Sequence, residues 1–182
     1  MGNQELGMSP IYVIGGLPGY TPEVGRLISM MNYARYTTLS AVQGLSVSEL
    51  DELLDEKSNS IGALLMHFAA VDHIYRVETF EEREMTEEET AFWQPALNLG
   101  DEGRTVIKGH PLEYYLKLLE ETRERTLEAF RKVDDEWLFR EEPFWDGQPA
   151  NRYFMWFHVF EDEINHRGQI RLQRKRLGRA AV

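Results

Sequence analysis

At 182 residues, with 42% hydrophobic and 28% charged side chains, the chain is long enough to bury a core unaided and too apolar to stay disordered. Its formal net charge of -11 opposes contact with nucleic acid phosphates and anionic membrane surfaces, so neither is expected as a partner. The absence of cysteine excludes disulfides, thiolate zinc sites and a protein thiol nucleophile; any thiol chemistry must use a thiol from outside the chain.

The sequence begins without a basic region followed by an apolar core, and no run approaches the roughly 20 apolar residues of a membrane span. We therefore expect a cytoplasmic protein with one domain over residues 1–182. Residues 1–20 carry Gly15-Gly16 and Pro18-Gly19 and read as an irregular packed arm, in which Ile11 to Ile14 could pair as a short strand. Thr21-Pro22-Glu23 supplies an N-cap, a first-turn proline and an acid, and Val24, Leu27, Met31, Ala34, Thr38 and Ala41 recur at helical spacing. They predict a first helix ending near Gly44.

Ser46 followed three residues later by Glu49 forms a capping-box pattern, which predicts a short helical turn within 46–55. The second helix is expected over 58–80, with one apolar stripe through Ile61, Leu65, Phe68 and Tyr75 and another through Leu64, His67, Val71 and Ile74. Residues 81–110, with an acidic stretch, Pro95 and three glycines, make a connection too long for adjacent antiparallel helices and suit a crossover. A third helix starts at Pro111 and runs through Tyr115, Leu119, Thr122, Thr126, Phe130 and Val133 to Asp134-Asp135. Residues 136–149 read as an aromatic-rich loop.

The fourth helix begins between Pro149 and Arg152, ends at Leu177-Gly178, and carries two apolar stripes. Tyr153, Phe157, Phe160 and Ile164 form one; Met155, Val159, Asp162, His166 and Ile170 form the other. Two apolar faces predict two packing partners, one of them a second subunit, so a homodimer is expected. The basic run from Arg171 to Arg179 sits where cations complement a helix C-terminus and reads as a solvated helix end.

Asp162 and His166, spaced i, i+4, lie one turn apart on one side of that helix, within reach of a single ion. Both occupy an otherwise apolar stripe, and His67 interrupts the matching seam of the second helix. A buried carboxylate costs several kcal/mol without a compensating cation or hydrogen-bond network. A divalent metal held by His67, Asp162 and His166 would compensate it: two imidazoles and a carboxylate suit Zn²⁺, Ni²⁺ or Fe²⁺ and leave a coordination position open. The alternative needs no metal: His166 bonds Asp162 along the helix, and a backbone carbonyl satisfies His67. His158 is read as a fourth ligand, an outer donor, or a core or rim histidine. Glu161 and Glu163 are expected to face solvent or pair with Arg167, His73 and His110 to be structural or exposed, and Trp145 to pack in the core or line a pocket mouth.

Residues 158–170, His-Val-Phe-Glu-Asp-Glu-Ile-Asn-His-Arg-Gly-Gln-Ile, resemble the fourth-helix signature of the DinB/YfiT-like metalloprotein superfamily, and residues 61–73 resemble its second helix. Many members carry a third histidine where this chain has Asp162, and the mycothiol-dependent branch carries a glutamate there. The resemblance implies an all-α, up-down-down-up four-helix bundle, with a long crossover between the second and third helices and the metal on His67, Asp162 and His166. It also implies a transferase or isomerase that uses a low-molecular-weight thiol of the mycothiol or bacillithiol type on a small-molecule substrate. Arg167 or Gln169 would orient the ligands. The competing expectations are a non-catalytic stress-response or scaffold dimer with a vestigial site, and a metal-assisted hydrolase with Glu163 or His158 as base.

Overall fold

The computed structural model describes residues 11–178; the first ten residues of the expected arm, and Arg179 of the basic run, lie outside the described residues. Helix α1 (Pro22–Val42) buries Val24, Leu27, Met31, Ala34, Thr38 and Ala41, the predicted stripe. Its N-cap is not made by the Thr21 side chain. Instead Asp135 accepts hydrogen bonds from the backbone N–H groups of Glu23 (2.9 Å) and Val24 (3.2 Å) and from the Thr21 hydroxyl. A carboxylate from far along the chain thus satisfies the free donors of the first turn. Helix α2 (Val47–Asp51) has the predicted capping box between Ser46 and Glu49.

Helix α3 (Ile61–Phe80) starts at Ser60, whose hydroxyl accepts from the Ala63 N–H at 3.1 Å. Every residue from Ile61 to His73 is buried, so this helix is covered on all sides and forms the axis of the bundle. The connection that follows is itself helical. Thr86 and Glu89 close a capping box at the start of α4 (Glu87–Asn98), which buries Trp93, Pro95 and Ala96; Leu99, at φ 53°, breaks it from α5 (Gly100–Val106).

Helix α6 (Leu112–Phe130) runs parallel to α3, because Tyr115 meets Gly62, Arg123 meets Asp72 and Phe130 meets Phe80 in matching order. A Cβ on Gly62 would lie 2.6 Å from the Tyr115 hydroxyl, so the glycine is what lets the two helices approach. Past α6, the expected loop contains structure. Asp134 caps a short helix α7 (Asp135–Phe139), and β1 (Glu141–Pro143) pairs antiparallel with β2 (Pro149–Asn151), with Glu142 opposite Ala150. One 3₁₀ turn, Trp145–Gly147, makes the hairpin tip, with Asp146 and Gly147 at positive φ.

Helix α8 (Arg152–Arg176) packs antiparallel to α3, Trp156 meeting Thr79 and Gln173 meeting Asn59, and parallel to α1, where Arg35 meets Glu163 and Arg174 meets Ala41. The four long helices therefore run up, down, down and up, and the parallel α3–α6 pair requires the long crossover that α4 and α5 fill. Residues 11–14 form no strand, and Tyr12, Val13 and Ile14 are mostly exposed; the arm attaches through Tyr12, edge-on to Tyr33 of α1 at 6.2 Å, through Leu17 and through a Gly15 N–H to Ser29 bond. Of the first stripe on α8, only Phe160 is buried, while Phe157 and Ile164 stay well exposed. No helix among the described residues is long and apolar enough to cross a membrane.

The apolar core falls into two clusters. Between them lies a polar layer. Glu163, 1% exposed, accepts from Arg35 Nε (3.0 Å) and Nη2 (3.2 Å) and lies 3.8 Å from Arg123 Nη2. Arg123 Nε donates to Asp72 at 2.7 Å, and Asp72 also accepts from Thr126. Two guanidiniums and two carboxylates thus tie all four long helices together at one level, compensating each other out of water. Glu163 was expected to face solvent or pair with Arg167; its ion pairs are instead with Arg35 and Arg123, and it points into the bundle.

Candidate metal centre

The ligating atoms of His67, Asp162 and His166 all lie within 4.8 Å of one another, at the seam where α3 packs on α8. His67 Nε2 is 3.1 Å from Asp162 Oδ2, and His166 Nε2 is 3.4 Å from Asp162 Oδ1. These separations match the edge of a tetrahedron whose ligands sit at ~2.1 Å from a central ion, which is about 3.4 Å. The two imidazole rings meet edge to face, with centroids 5.0 Å apart.

The other ring nitrogens decide the chemistry. His67 Nδ1 is 2.8 Å from the Ala96 carbonyl oxygen, which can only accept, so Nδ1 carries the proton. His166 Nδ1 is 3.2 Å from Gln169 Oε1 and is turned the same way. Rings held like this direct both Nε2 atoms at a carboxylate. Each Nε2 then faces a carboxylate oxygen of Asp162, an arrangement that either a proton or a metal cation between them satisfies. The two contacts of the metal-free alternative, His67 to a carbonyl and His166 to Asp162, are thus both present; the carbonyl occupies Nδ1 of His67 and leaves Nε2 free to ligate. The donor set fits a divalent cation, with imidazole and carboxylate donors and outer acceptors fixing the rings.

The electrostatics agree with this geometry. Burial works to raise the Asp162 pKa, but hydrogen bonds from His166 and His67 and the charge of both rings outweigh it and hold the carboxyl well below the usual range. Burial works to lower the His166 pKa; the bond and charge of Asp162, helped by Gln169 and Glu161, outweigh it and raise it. Opposite charges are favoured across the pair, so without a metal a proton on His166 compensates Asp162, and a metal ion would have to displace that proton.

The neighbouring residues divide clearly. His158, one turn before Asp162, does not join the triad: its Nδ1 lies 3.2 Å from Glu161, and Trp145 stands edge-on to its ring at 4.7 Å. Arg167 bonds Thr37 and the Ala34 carbonyl on α1, whereas Gln169 touches His166, so only the second of the two expected orienting residues meets the triad. His73 is buried and stacked on Trp93 at 5.2 Å, and His110 stacks on Tyr114 at 4.0 Å, as structural histidines do. The Ala96 carbonyl was missed from sequence, because every residue carries a carbonyl and only the path of α4 brings this one to His67. The Thr86 to Glu89 capping box was the signal that α4 existed.

A conserved protein of Enterococcus faecalis, known from its crystal structure, superposes with a TM-score of 0.65 at 15% identity, covering 82% of this chain and 93% of that one; at such identity the likeness shows the fold. No curated protein sequence matches at a significant level. The sequence model of the mycothiol-S-transferase family matches residues 26–178, through all four long helices and the triad they hold, and the chain belongs to this DinB/YfiT-like family.

Proposed function

We propose that the protein is a metal-dependent S-transferase: His67 Nε2, Asp162 and His166 Nε2 hold one divalent cation, Zn²⁺, Ni²⁺ or Fe²⁺, and a low-molecular-weight thiol of the mycothiol or bacillithiol type is joined to a small electrophile. One observation carries the proposal: both Nε2 atoms converge on the Asp162 carboxylate while both Nδ1 atoms are engaged elsewhere. Three protein ligands leave a position free for the thiol. The bound ion supplies charge that lowers the pKa of the thiol, giving a thiolate near neutral pH.

The chain's own residues do the rest. The Ala96 carbonyl and Gln169 fix the two rings and their tautomers. Asp162 brings one negative charge, which offsets half of a divalent cation and keeps the centre attractive to an anionic sulfur. His158, with Nδ1 held by Glu161, keeps Nε2 as a proton acceptor one turn from Asp162. A cytoplasmic protein is implied, because such a thiol stays reduced there. The half-exposed Tyr33 and Tyr36 of α1 and Phe157 and Ile164 of α8 supply the apolar face of a homodimer.

The decisive experiment combines elemental analysis with turnover. Gently purified protein should carry about one metal per chain, and with mycothiol it should consume an electrophile faster than protein stripped by a chelator. Substituting His67, Asp162 or His166 by alanine should abolish both properties. Metal-free protein with no thiol-dependent turnover, and no change in melting temperature on adding Zn²⁺ or Ni²⁺, would favour the non-catalytic dimer. Sedimentation of F157E as a monomer would support the dimer face; a monomeric parent protein would remove it.

A further inference from the structure

Position 158 joins the triad to a second feature of the fold. Phe154, His158, Asp162 and His166 succeed one another at four-residue spacing on α8 and so follow one side of that helix. At the Phe154 end, about 12 Å along the axis from Asp162 at 1.5 Å per residue, the β1–β2 hairpin and the helix border an open cavity of about 610 Å³. Its walls include Phe144, Trp145 and Phe154, with Glu141 and Asp146 as the charged groups.

The aromatic surface is continuous back toward the triad. Trp145 stacks on Phe144 with centroids 4.7 Å apart, and Phe144 meets Phe154 edge-on at 6.1 Å and Tyr75 at 6.3 Å. Tyr75 in turn lies 6.1 Å from His158, whose ring Trp145 also touches. Trp145 is nevertheless 60% exposed, so a large indole at the tip of a short hairpin keeps an open face. Open π faces take planar groups, and the two acids with no basic residue on the walls repel anions.

We propose that this hairpin cavity is the acceptor-substrate subsite, in which Trp145, with Phe144 and Phe154, holds a planar aromatic group that bears no negative charge while its reactive carbon reaches along α8 toward Asp162. The inference rests on the thiol-transfer reading of the triad. With an aryl chloride as acceptor, the sulfur–carbon bond forms and the carbon–chlorine bond breaks. Chloride leaves with the bonding pair, and the thiol proton passes to solvent.

Two measurements separate the subsite from the reaction. The first uses 2,4-dinitroaniline, neutral and unreactive, titrated into ¹⁵N-labelled metal-loaded protein without thiol, and follows the indole N–H signals of the four tryptophans. The Trp145 signal, assigned with W145F, should shift and saturate, while buried Trp156 and Trp93 do not move. W145A should weaken binding about tenfold, the scale of one aromatic contact, and anionic 2,4-dinitrobenzoate should bind at least as weakly to the parent. An unmoved Trp145 signal, or unchanged affinity in W145A, overturns the subsite.

The second compares mycothiol transfer to 1-chloro-2,4-dinitrobenzene and to iodoacetamide. W145A should raise KM for the aryl chloride by a larger factor than KM for iodoacetamide. Binding at Trp145 without turnover of either electrophile would sink the transfer reading, and with it the acceptor role, and leave only an aromatic-binding site at Trp145. Turnover of both with W145A indifferent would sink the subsite and leave the transfer reading standing.

Discussion

Replacing Glu163 by glutamine tests whether the polar layer of the bundle is a charge-balanced unit. Glu163 and Asp72 are 1% and 0% exposed, and their partners Arg35 and Arg123 are 9% and 7% exposed. The four charges cancel. E163Q keeps the size of the side chain but leaves one guanidinium charge uncompensated, and breaking a buried pair from one side costs about 3–5 kcal/mol. Against a usual total of roughly 5–15 kcal/mol, that is a large share. With an m value of about 2–3 kcal/mol/M, the urea midpoint should fall by about 1–2 M. The double variant E163L/R35L removes the pair together, leaves Arg123 with Asp72, and should recover most of the loss. Metal affinity should change little in E163Q, because Glu163 points away from the seam that holds Asp162. A midpoint shift below about 0.3 M, or a double variant as unstable as the single one, would refute the charge-balance account.

Metal affinity should fall with pH. His166, whose pKa is raised, must lose its proton to ligate, so Zn²⁺ binding should weaken about tenfold per pH unit per proton as pH drops, beginning above the ~6.5 of free histidine. A flat calorimetric profile from pH 8 to 5.5 would contradict this. Without metal the same raised pKa acts with the opposite sign. The His166–Asp162 pair contributes stability that is fully present below the unfolded histidine pKa and lost as pH rises through the folded one, so the difference in melting temperature between the parent and H166Q should shrink toward alkaline pH. Asp135→Ala removes three acceptor contacts at the start of α1 and should cost about 1–2 kcal/mol, a fall of roughly 3–6 °C in Tm; an unchanged Tm would mean that water replaces the carboxylate. Gly62→Ala forces α3 away from Tyr115 and should cost about 1–3 kcal/mol in urea denaturation, unlike Gly168→Ala, where the added Cβ meets nothing within 4 Å.

Much of the bundle was legible because helical periodicity and capping are local. The α1 stripe, the Ser46–Glu49 box and the i, i+4 spacing of Asp162 and His166 each lie within a few residues of chain, and backbone geometry alone gives them their consequences. The crossover helices were hidden by Pro95 and the glycines, which read as breakers, although Pro95 packs inside α4 and Leu99 rather than glycine makes the break that follows. The β1–β2 hairpin was hidden because its strands are three residues each, too short to show alternation.

Local periodicity is enough to set out four long helices with three polar groups in their apolar stripes. Tertiary structure alone decided what those groups meet: His67 reaches Asp162 across 95 positions, Asp135 caps a helix more than a hundred residues earlier, and Glu163, adjacent to Asp162, turns to Arg35 instead of solvent. Neighbours in a helix differ by about 100° in direction, so Asp162 and Glu163 address different helices. Which helices those are depends on the packing of α1, α3 and α6 around α8, which no local window of sequence contains.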